Sequence, residues 1–464
     1  MGFYPGGFFG ILFLYAYLLT SKGTPQLMKK FLASLLTLLV LALLVAAPAS
    51  AMEGYAPDFD VAAQAVYLVN TDTNIVVYQK NATQPLSSAS VTKVMTCLLL
   101  LQSYQDQLDA VTVTAPGYIY DILYGLNAST ADIRKGETHS LRDLLYAMLL
   151  PSGNEAAYIV ADYMGGGSVS AFVEKMNAEA KAIGCTGTIF TDPCGIDPGN
   201  VTTAQDAYLM LRAAIAYDAF VQAAAATTYD MGTNDRYTTP GTYIIQNTDK
   251  MVVPDSPYYR DYTKGGKTGT LDDWQNFVSW HTQNGETYIC SVLNSPHSAD
   301  PDNQRSALLE TGKLMDWVFK TFAISAALDT TQPITEIPVA YSTQTDTLML
   351  YPADSMSTLM PAGGAALTTQ TFDLPAKVSA PIKQGDLVGT VTLSLNGEKL
   401  GTVNLIAGSD VSRNQVLYTL AKIGEFFGST YFKVVVVLTM IAVAVYAFVW
   451  VAAIILEPNR RRKP

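Results

Sequence analysis

The 464-residue chain predicts an α/β (α+β) fold: an antiparallel sheet covered by helices with an inserted helical region, then a small all-β domain and one C-terminal transmembrane helix. Three observations carry this. Strand-like pieces open and close the stretch from about residue 60 to 325, with helical patterns between them. Short β-rich pieces divided by Gly, Pro and Asp continue to about Gly408. Finally, Val434 to Leu456 is 23 residues without a charge.

Taken in order, Lys29-Lys30, the apolar run Phe31 to Ala47 and the small-residue site Ala49-Ser50-Ala51 read as a secretory signal with its natural start at Met28. Residues 1–27 read as a start-site extension, the alternative being an extra anchor at Phe8 to Leu19. Ala65 to Val69 and Ile75 to Gln79 form a hairpin around Asn70-Thr71-Asp72-Thr73-Asn74. The polar stretch Pro85 to Ala89 runs into an apolar helix, where Val94, Cys97, Leu98 and Leu101 share a core-facing side. Leu141 to Leu150 and Ala171 to Ala182 are helical, with Gly165-Gly166-Gly167 breaking the chain between them. Asn276 to Trp280 and Thr287 to Leu293 are strands joined at Asn284-Gly285, and a helix from about Arg305 to Phe322 follows. The boundaries expected are 1–51 for extension and signal, 52–328 for the main domain and 329–410 for the small β domain, with strands at Ile337 to Tyr341, Thr347 to Tyr351, Leu387 to Leu395 and Leu400 to Ala407. A juxtamembrane segment (411–433), the span (434–456) and a basic tail (457–464) end the chain, and Arg460-Arg461-Arg462-Lys463 sets the tail inside.

A net charge of −11 argues against a nucleic-acid partner, which asks for a basic face. Four cysteines do not make a disulfide scaffold, and three dispersed histidines without H-E-x-x-H give a metal or other cofactor no support. Cys185 and Cys194 are the exception worth a test: a chain bend at Asp192-Pro193 brings them within bridging range, so an exported protein is expected to join them.

The chemistry-bearing stretches are Ser90-Val91-Thr92-Lys93, Ser152-Gly153-Asn154 and Lys267-Thr268-Gly269-Thr270. Ser90 and Lys93 lie one helical turn apart, a hydroxyl beside an amine that becomes a base if burial lowers its pKa. Taken alone, each string has an ordinary reading as a cap, a surface charge or a turn. Together, in this order, they match the S-x-x-K, S-x-N and K-T-G set of penicillin-recognising serine enzymes. The flanks Arg142 to Tyr146, Leu150 to Ala157 and Phe172 to Asn177 add family-like wording. The chain resembles the low-molecular-mass penicillin-binding proteins that are D-alanyl-D-alanine carboxypeptidases, over about residues 60 to 325.

The resemblance implies a membrane-anchored enzyme that removes the terminal D-alanine from peptidoglycan stem peptides ending in D-Ala-D-Ala and is acylated by β-lactams. Ser90 is then the nucleophile, Lys93 its base, and Ser152 the proton relay to the leaving amine. Asn154 orients Lys93 and the substrate amide, while Lys267, Thr268, Gly269 and Thr270 hold the terminal carboxylate. The backbone N–H groups of Ser90 and Thr270 form the oxyanion hole. The catalytic domain faces outward from a cell membrane crossed once, and the β domain is a spacer. Departures stand at Leu271 to Asn276, where the family shows T-x-x-A-G, and at Cys194 and Asn200. A class A-like β-lactamase and a catalytically silent wall-binding protein are the alternatives; the first needs a carboxylate-bearing loop for deacylation.

Overall fold

The computed structural model describes residues 56–300, 305–361, 368–395 and 397–456. The signal segment, its cleavage site, residues 1–27 and the basic tail lie outside the described residues. Two compact units part between Gly312 and Lys313, inside the helix Ser306–Thr321.

The first unit is built on a five-stranded sheet. Strands β1 (Ala65–Asn70) and β2 (Ile75–Lys80) form the expected hairpin, and β3 (Thr263–Thr270), β4 (Trp274–Gln283) and β5 (Glu286–Pro296) come from the far end of the unit. The order is β2-β1-β5-β4-β3, antiparallel throughout, with Ala65 opposite Leu293 where the two chain ends meet. Every residue of β1 is buried, as a central strand covered on both faces requires. Strand β3 was not among the strands read from the sequence, since Thr-Lys-Gly-Gly-Lys-Thr-Gly-Thr has no apolar alternation; pairing with the longer β4 holds it.

Helices fill the middle of the unit. Helix α1 (Lys93–Tyr104) was expected to present one apolar side, yet all nine residues from Lys93 to Leu101 are buried. It is a central helix, wrapped by α2 (Leu141–Leu149), α3 (Asn154–Met164), α4 (Val169–Ala182), α5 (Ala204–Ala214) and α6 (Asp218–Ala225), which share one apolar core with it. The entry of α2 is held by a capping box in which Ser140 and Asp143 satisfy each other's backbone N–H groups. Surrounding α1 on every side fixes the depth of its first residue, Lys93.

The second unit carries a six-stranded sheet that includes Thr335–Ala340, Thr347–Pro352, Leu387–Leu395 and Glu398–Ala407, over a small core of Leu348, Leu350, Val391, Leu393 and Leu405. The juxtamembrane stretch contains a helix, Gln415–Gly428, whose first N–H groups are capped by Asn414 and which exposes Leu417, Leu420, Ile423 and Phe427. A second helix, Thr430–Leu456, follows. Within Thr430–Ile454 the most apolar 18-residue window has mean hydropathy 2.7 and none of that window is buried, so the helix fits a membrane anchor.

Candidate active site

Ser90, the candidate nucleophile, sits on a tight turn. Ala89–Thr92 is a 3-10 turn entered with Ala89 at φ 42°, and Lys93 opens α1 directly after it. Residues three apart eclipse in a 3-10 turn, so the Lys93 side chain rises beside Ser90, and Nζ lies 2.8 Å from Ser90 Oγ. Two further acceptors complete the shell: Asn154 Oδ1 at 2.6 Å and the Cys194 carbonyl at 3.0 Å. Lys93 is fully buried, and that desolvation holds its amine below the usual lysine range against opposing pulls that include Asp192 and Glu155. The neutral amine has two hydrogens and one lone pair. Asn154 Oδ1 and the Cys194 carbonyl can only accept, so they take the hydrogens and the lone pair is left for the Ser90 hydroxyl.

Each of those acceptors is held from behind. Asn154 opens α3, its own N–H donating to the Ser129 carbonyl at 2.9 Å. The preceding Ser152 is in the left-handed region at φ 65°, and a Cβ on Gly153 would come 3.0 Å from the Ala147 carbonyl and 3.1 Å from Ala131. Glu155 fixes the facing segment by accepting from Thr130 Oγ1 and the Ala131 N–H, both at 2.7 Å. The Cys194 carbonyl is aimed by Asp192, whose carboxylate accepts from the N–H groups of Cys194, Gly195, Ile196 and Asp197 at 2.7, 2.6, 3.1 and 2.6 Å. Thr96 Oγ1 ties the same loop to α1 through the Pro193 carbonyl at 2.6 Å. Asn200 accepts from the Thr191 N–H at 3.1 Å and so braces the loop rather than facing Ser90.

The expected Cys185–Cys194 bridge is not formed: all four cysteines are free and buried. The bend at Asp192 to Asp197 closes on the Asp192 carboxylate, while the Cys185 thiol turns to the Asp206 carbonyl at 3.7 Å. Cys194 serves through its backbone carbonyl, which any residue supplies, so its side chain departs from the family pattern without loss of the contact.

Across the turn, β3 is an edge strand of the sheet and carries the K-T-G stretch. Lys267 is fully buried, its Nζ donating to Ser152 Oγ at 3.0 Å and to the Thr268 carbonyl at 2.9 Å. Burial first, and the like charge of Lys93 second, hold it well below the usual lysine range. Thr268 Oγ1 donates to Thr248 Oγ1 at 2.9 Å. A Cβ on Gly269 would sit 3.2 Å from Ala89 Cβ, Asn276 Cβ and the Ser88 carbonyl, so glycine is what lets the strand lie against the nucleophile turn. Asn276 then staples the turn to β4, its Nδ2 donating to the Ser87 and Ser88 carbonyls at 2.9 and 3.2 Å. Thr270 closes β3 as an exposed residue opposite Gln275.

The residues singled out in the sequence thus assemble as two linked groups, Ser90–Lys93–Asn154 and Ser152–Lys267–Thr268, with Gly269 and Thr270 continuing the strand past Ser90. Sequence reasoning missed Asp192, the Cys194 carbonyl, Thr248 and Asn276 as contributors. Asn276 lies in the stretch noted as a departure, on β4. A cavity of about 430 Å³ adjoins the site, lined by Pro151, Thr248, Lys250 and Arg305 among others.

Comparison with known proteins matches residues 50–297 to the family model described as D-alanyl-D-alanine carboxypeptidase, and residues 326–413 to that of the penicillin-binding protein 5 C-terminal domain. The D-alanyl-D-alanine carboxypeptidase DacF of Bacillus subtilis is 24% identical over 76% of this chain and 86% of its own length. DacC of Escherichia coli, also a D-alanyl-D-alanine carboxypeptidase, is 26% identical over 81% of this chain and 91% of its own. Among solved structures, the D-alanyl-D-alanine carboxypeptidase DacD of Francisella tularensis superposes with a TM-score of 0.59 at 21% identity, covering 80% of this chain and 98% of that one. Penicillin-binding protein 5 of Haemophilus influenzae gives 0.55 at 23%, over 78% and 100%.

Proposed function

Because the chain belongs to the D-alanyl-D-alanine carboxypeptidase family, we propose that Ser90, Lys93 and Ser152 carry its reaction and that Asn154, Lys267, Thr268, Gly269 and Thr270 bind the substrate. The protein is a serine-type D-Ala-D-Ala carboxypeptidase that acts through an acyl-enzyme, and penicillin acylates the same centre. The observation that carries the residue assignment is the 2.8 Å contact of Ser90 Oγ with a buried Lys93 amine whose other two partners can only accept.

In the first step Lys93 takes the Ser90 proton as Oγ bonds to the carbonyl carbon of the penultimate D-alanine. The oxyanion forms between the N–H groups of Ser90 and Thr270, contacts commonly worth about 3 kcal/mol each in acyl transfer. The C–N bond then breaks, and the leaving amine takes its proton through Ser152 Oγ, which Lys267 holds at 3.0 Å. Lys267 and the hydroxyls of Thr268 and Thr270 grip the carboxylate of the leaving D-alanine. Water cleaves the ester with Lys93 again as base, restoring Ser90 and releasing the shortened peptide.

The two carboxylates whose charge reaches Lys93, those of Asp192 and Glu155, are both taken up by backbone N–H donors. Neither is offered to a deacylating water, which favours slow release of β-lactams over a β-lactamase's turnover. We assign catalysis to residues 52–328 and a spacer role to 329–410. Residues 411–456 then hold the protein in the cell membrane by a single pass with the catalytic domain outside. Incubating the purified protein with a pentapeptide ending in D-Ala-D-Ala, followed by mass spectrometry, tests the reading. Loss of one alanine in the native protein and none in Ser90→Ala is the expected result; unchanged peptide with native protein overturns it.

A further inference from the structure

The stretch Asn247 to Met251 lies behind the K-T-G strand and is pinned from three sides. Asn247 Nδ2 donates to the Ala224 and Ala226 carbonyls at 3.1 and 2.8 Å. The Thr248 N–H and hydroxyl both donate to the Leu150 carbonyl at 3.0 Å, while that hydroxyl accepts from Thr268. The Thr248 carbonyl accepts from Arg305 Nη1 at 3.1 Å. Next in the chain is Asp249, 1% exposed. Its Oδ1 accepts from the Met251 N–H at 2.9 Å, but its Oδ2 is buried without a hydrogen-bond partner. A carboxylate oxygen in that position is costly, and asparagine would make the same turn without the charge.

The groups whose charge reaches Asp249 are all cations: Lys267 on β3, Arg305 at the foot of the helix Ser306–Thr321, and Lys250 beside it in the chain. Lys267 has little else to keep it charged: burial and Lys93 both oppose its proton, its two hydrogen-bond partners are a hydroxyl and a carbonyl, and Cys97, the other group that could favour its charge, is itself held as a neutral thiol by burial. We propose that Asp249 is a positioning residue that keeps Lys267 an ammonium, so that the K-T-G strand meets the substrate's terminal carboxylate with a positive charge. Burial pushes the Asp249 carboxyl up to about 7, so this support is itself sensitive to pH near neutrality. The proposal rests on Lys267 as the carboxylate-binding group.

The test compares a peptide ending in D-Ala-D-Ala with the same peptide ending in the C-terminal amide, using the full chain in detergent across pH 6 to 9. Asp249→Asn should raise KM for the acid about tenfold at the alkaline end, where loss of the carboxylate lowers the charged fraction of Lys267. It should leave kcat for the acid and both constants for the amide little changed, so the preference for acid over amide falls. Asp249→Ser keeps an acceptor for the Met251 N–H and should behave alike, which guards against a folding defect in the first variant. If the native protein prefers acid and both variants keep that preference at every pH, Asp249 has no such role. Equal losses on acid and amide mark it as merely structural and also overturn the proposal. If the native protein itself does not distinguish acid from amide, the carboxylate-binding assignment of Lys267 fails, and the proposal with it.

Discussion

Gly195→Ala separates a site held by its loop from a loop that merely lies near it. Gly195 follows the residue whose carbonyl faces Lys93, has φ +84°, and packs directly on the turn that carries Ser90. A Cβ there would stand 1.7 Å from the Ala89 carbonyl oxygen, 2.4 Å from its carbon and 2.8 Å from Thr92 Oγ1. Ordinary contact is about 3.5 Å, so the loop or the turn must retreat by roughly 1.5 to 2 Å. The two shortest of these contacts are to backbone, and no rotamer change relieves them. Left-handed backbone on an L-residue adds about 1–2 kcal/mol. Retreat of the turn displaces Ser90, and retreat of the loop withdraws an acceptor from Lys93. Because about 1 Å of misplacement costs roughly 10²-fold in rate, acylation by a fluorescent penicillin should slow at least a hundredfold. Stopped-flow labelling and thermal melting on the same preparation give both quantities. A folded Gly195→Ala protein that labels at the native rate refutes the coupling between this loop and the nucleophile turn.

Ser90→Ala should abolish both D-alanine release and penicillin labelling while circular dichroism stays native, and retained labelling of folded protein sinks the nucleophile assignment. Lys93→Ala should nearly do the same. Because the amine must be unprotonated to act, and burial lowers its pKa, kcat/KM should rise with pH and level off below the ordinary lysine range of about 10.4; a profile still climbing there rejects Lys93 as a buried base. Burial pushes the thiols of Cys97, Cys185, Cys194 and Cys290 up to about 12, so iodoacetamide at pH 8 should label none in the native state and all four after denaturation. Fewer than four thiols in the denatured, unreduced protein would restore the disulfide.

The hairpin, the helices flanking the motifs, the paired strands β4 and β5 and most of the late β strands were legible because periodicity and turn chemistry act locally. Strand β3 was not, since its glycines are there for close approach to Phe277, Trp280 and Ala89, an interaction no local pattern expresses. Helix α1 misled for a related reason. A helix buried on all sides has no polar side to reveal its depth, and only the packing of its neighbours shows that Lys93 is dry. The three motifs named side chains that the fold brings together, but the second layer is written in backbone atoms and hence invisible: the Cys194 carbonyl carries no residue preference, and no local pattern shows that the Asp192 carboxylate closes its loop. The expected disulfide failed on the same ground, because the bend exists but is closed by a carboxylate.

What remains is why two buried lysines stand in one site without defeating each other. Their like charges disfavour double protonation, so an arrangement that demanded both as ammonium would be costly. The surroundings instead divide the work. Lys93 has two acceptors that consume the hydrogens of a neutral amine, and the carboxylates reaching it from Asp192 and Glu155 are spent on backbone N–H groups. Lys267 feels the charge of the buried Asp249 carboxylate, one oxygen of which has no hydrogen-bond partner. The first environment suits a base and the second suits an anchor for an anion. In the proposed reaction Lys93 becomes a second cation on taking the Ser90 proton, and the repulsion this creates with Lys267 falls as Ser152 carries a proton on to the leaving amine. In the proposed mechanism Ser152, bonded to Lys267 and two residues from Asn154, is the group that passes the proton on, so that the two charges do not persist together.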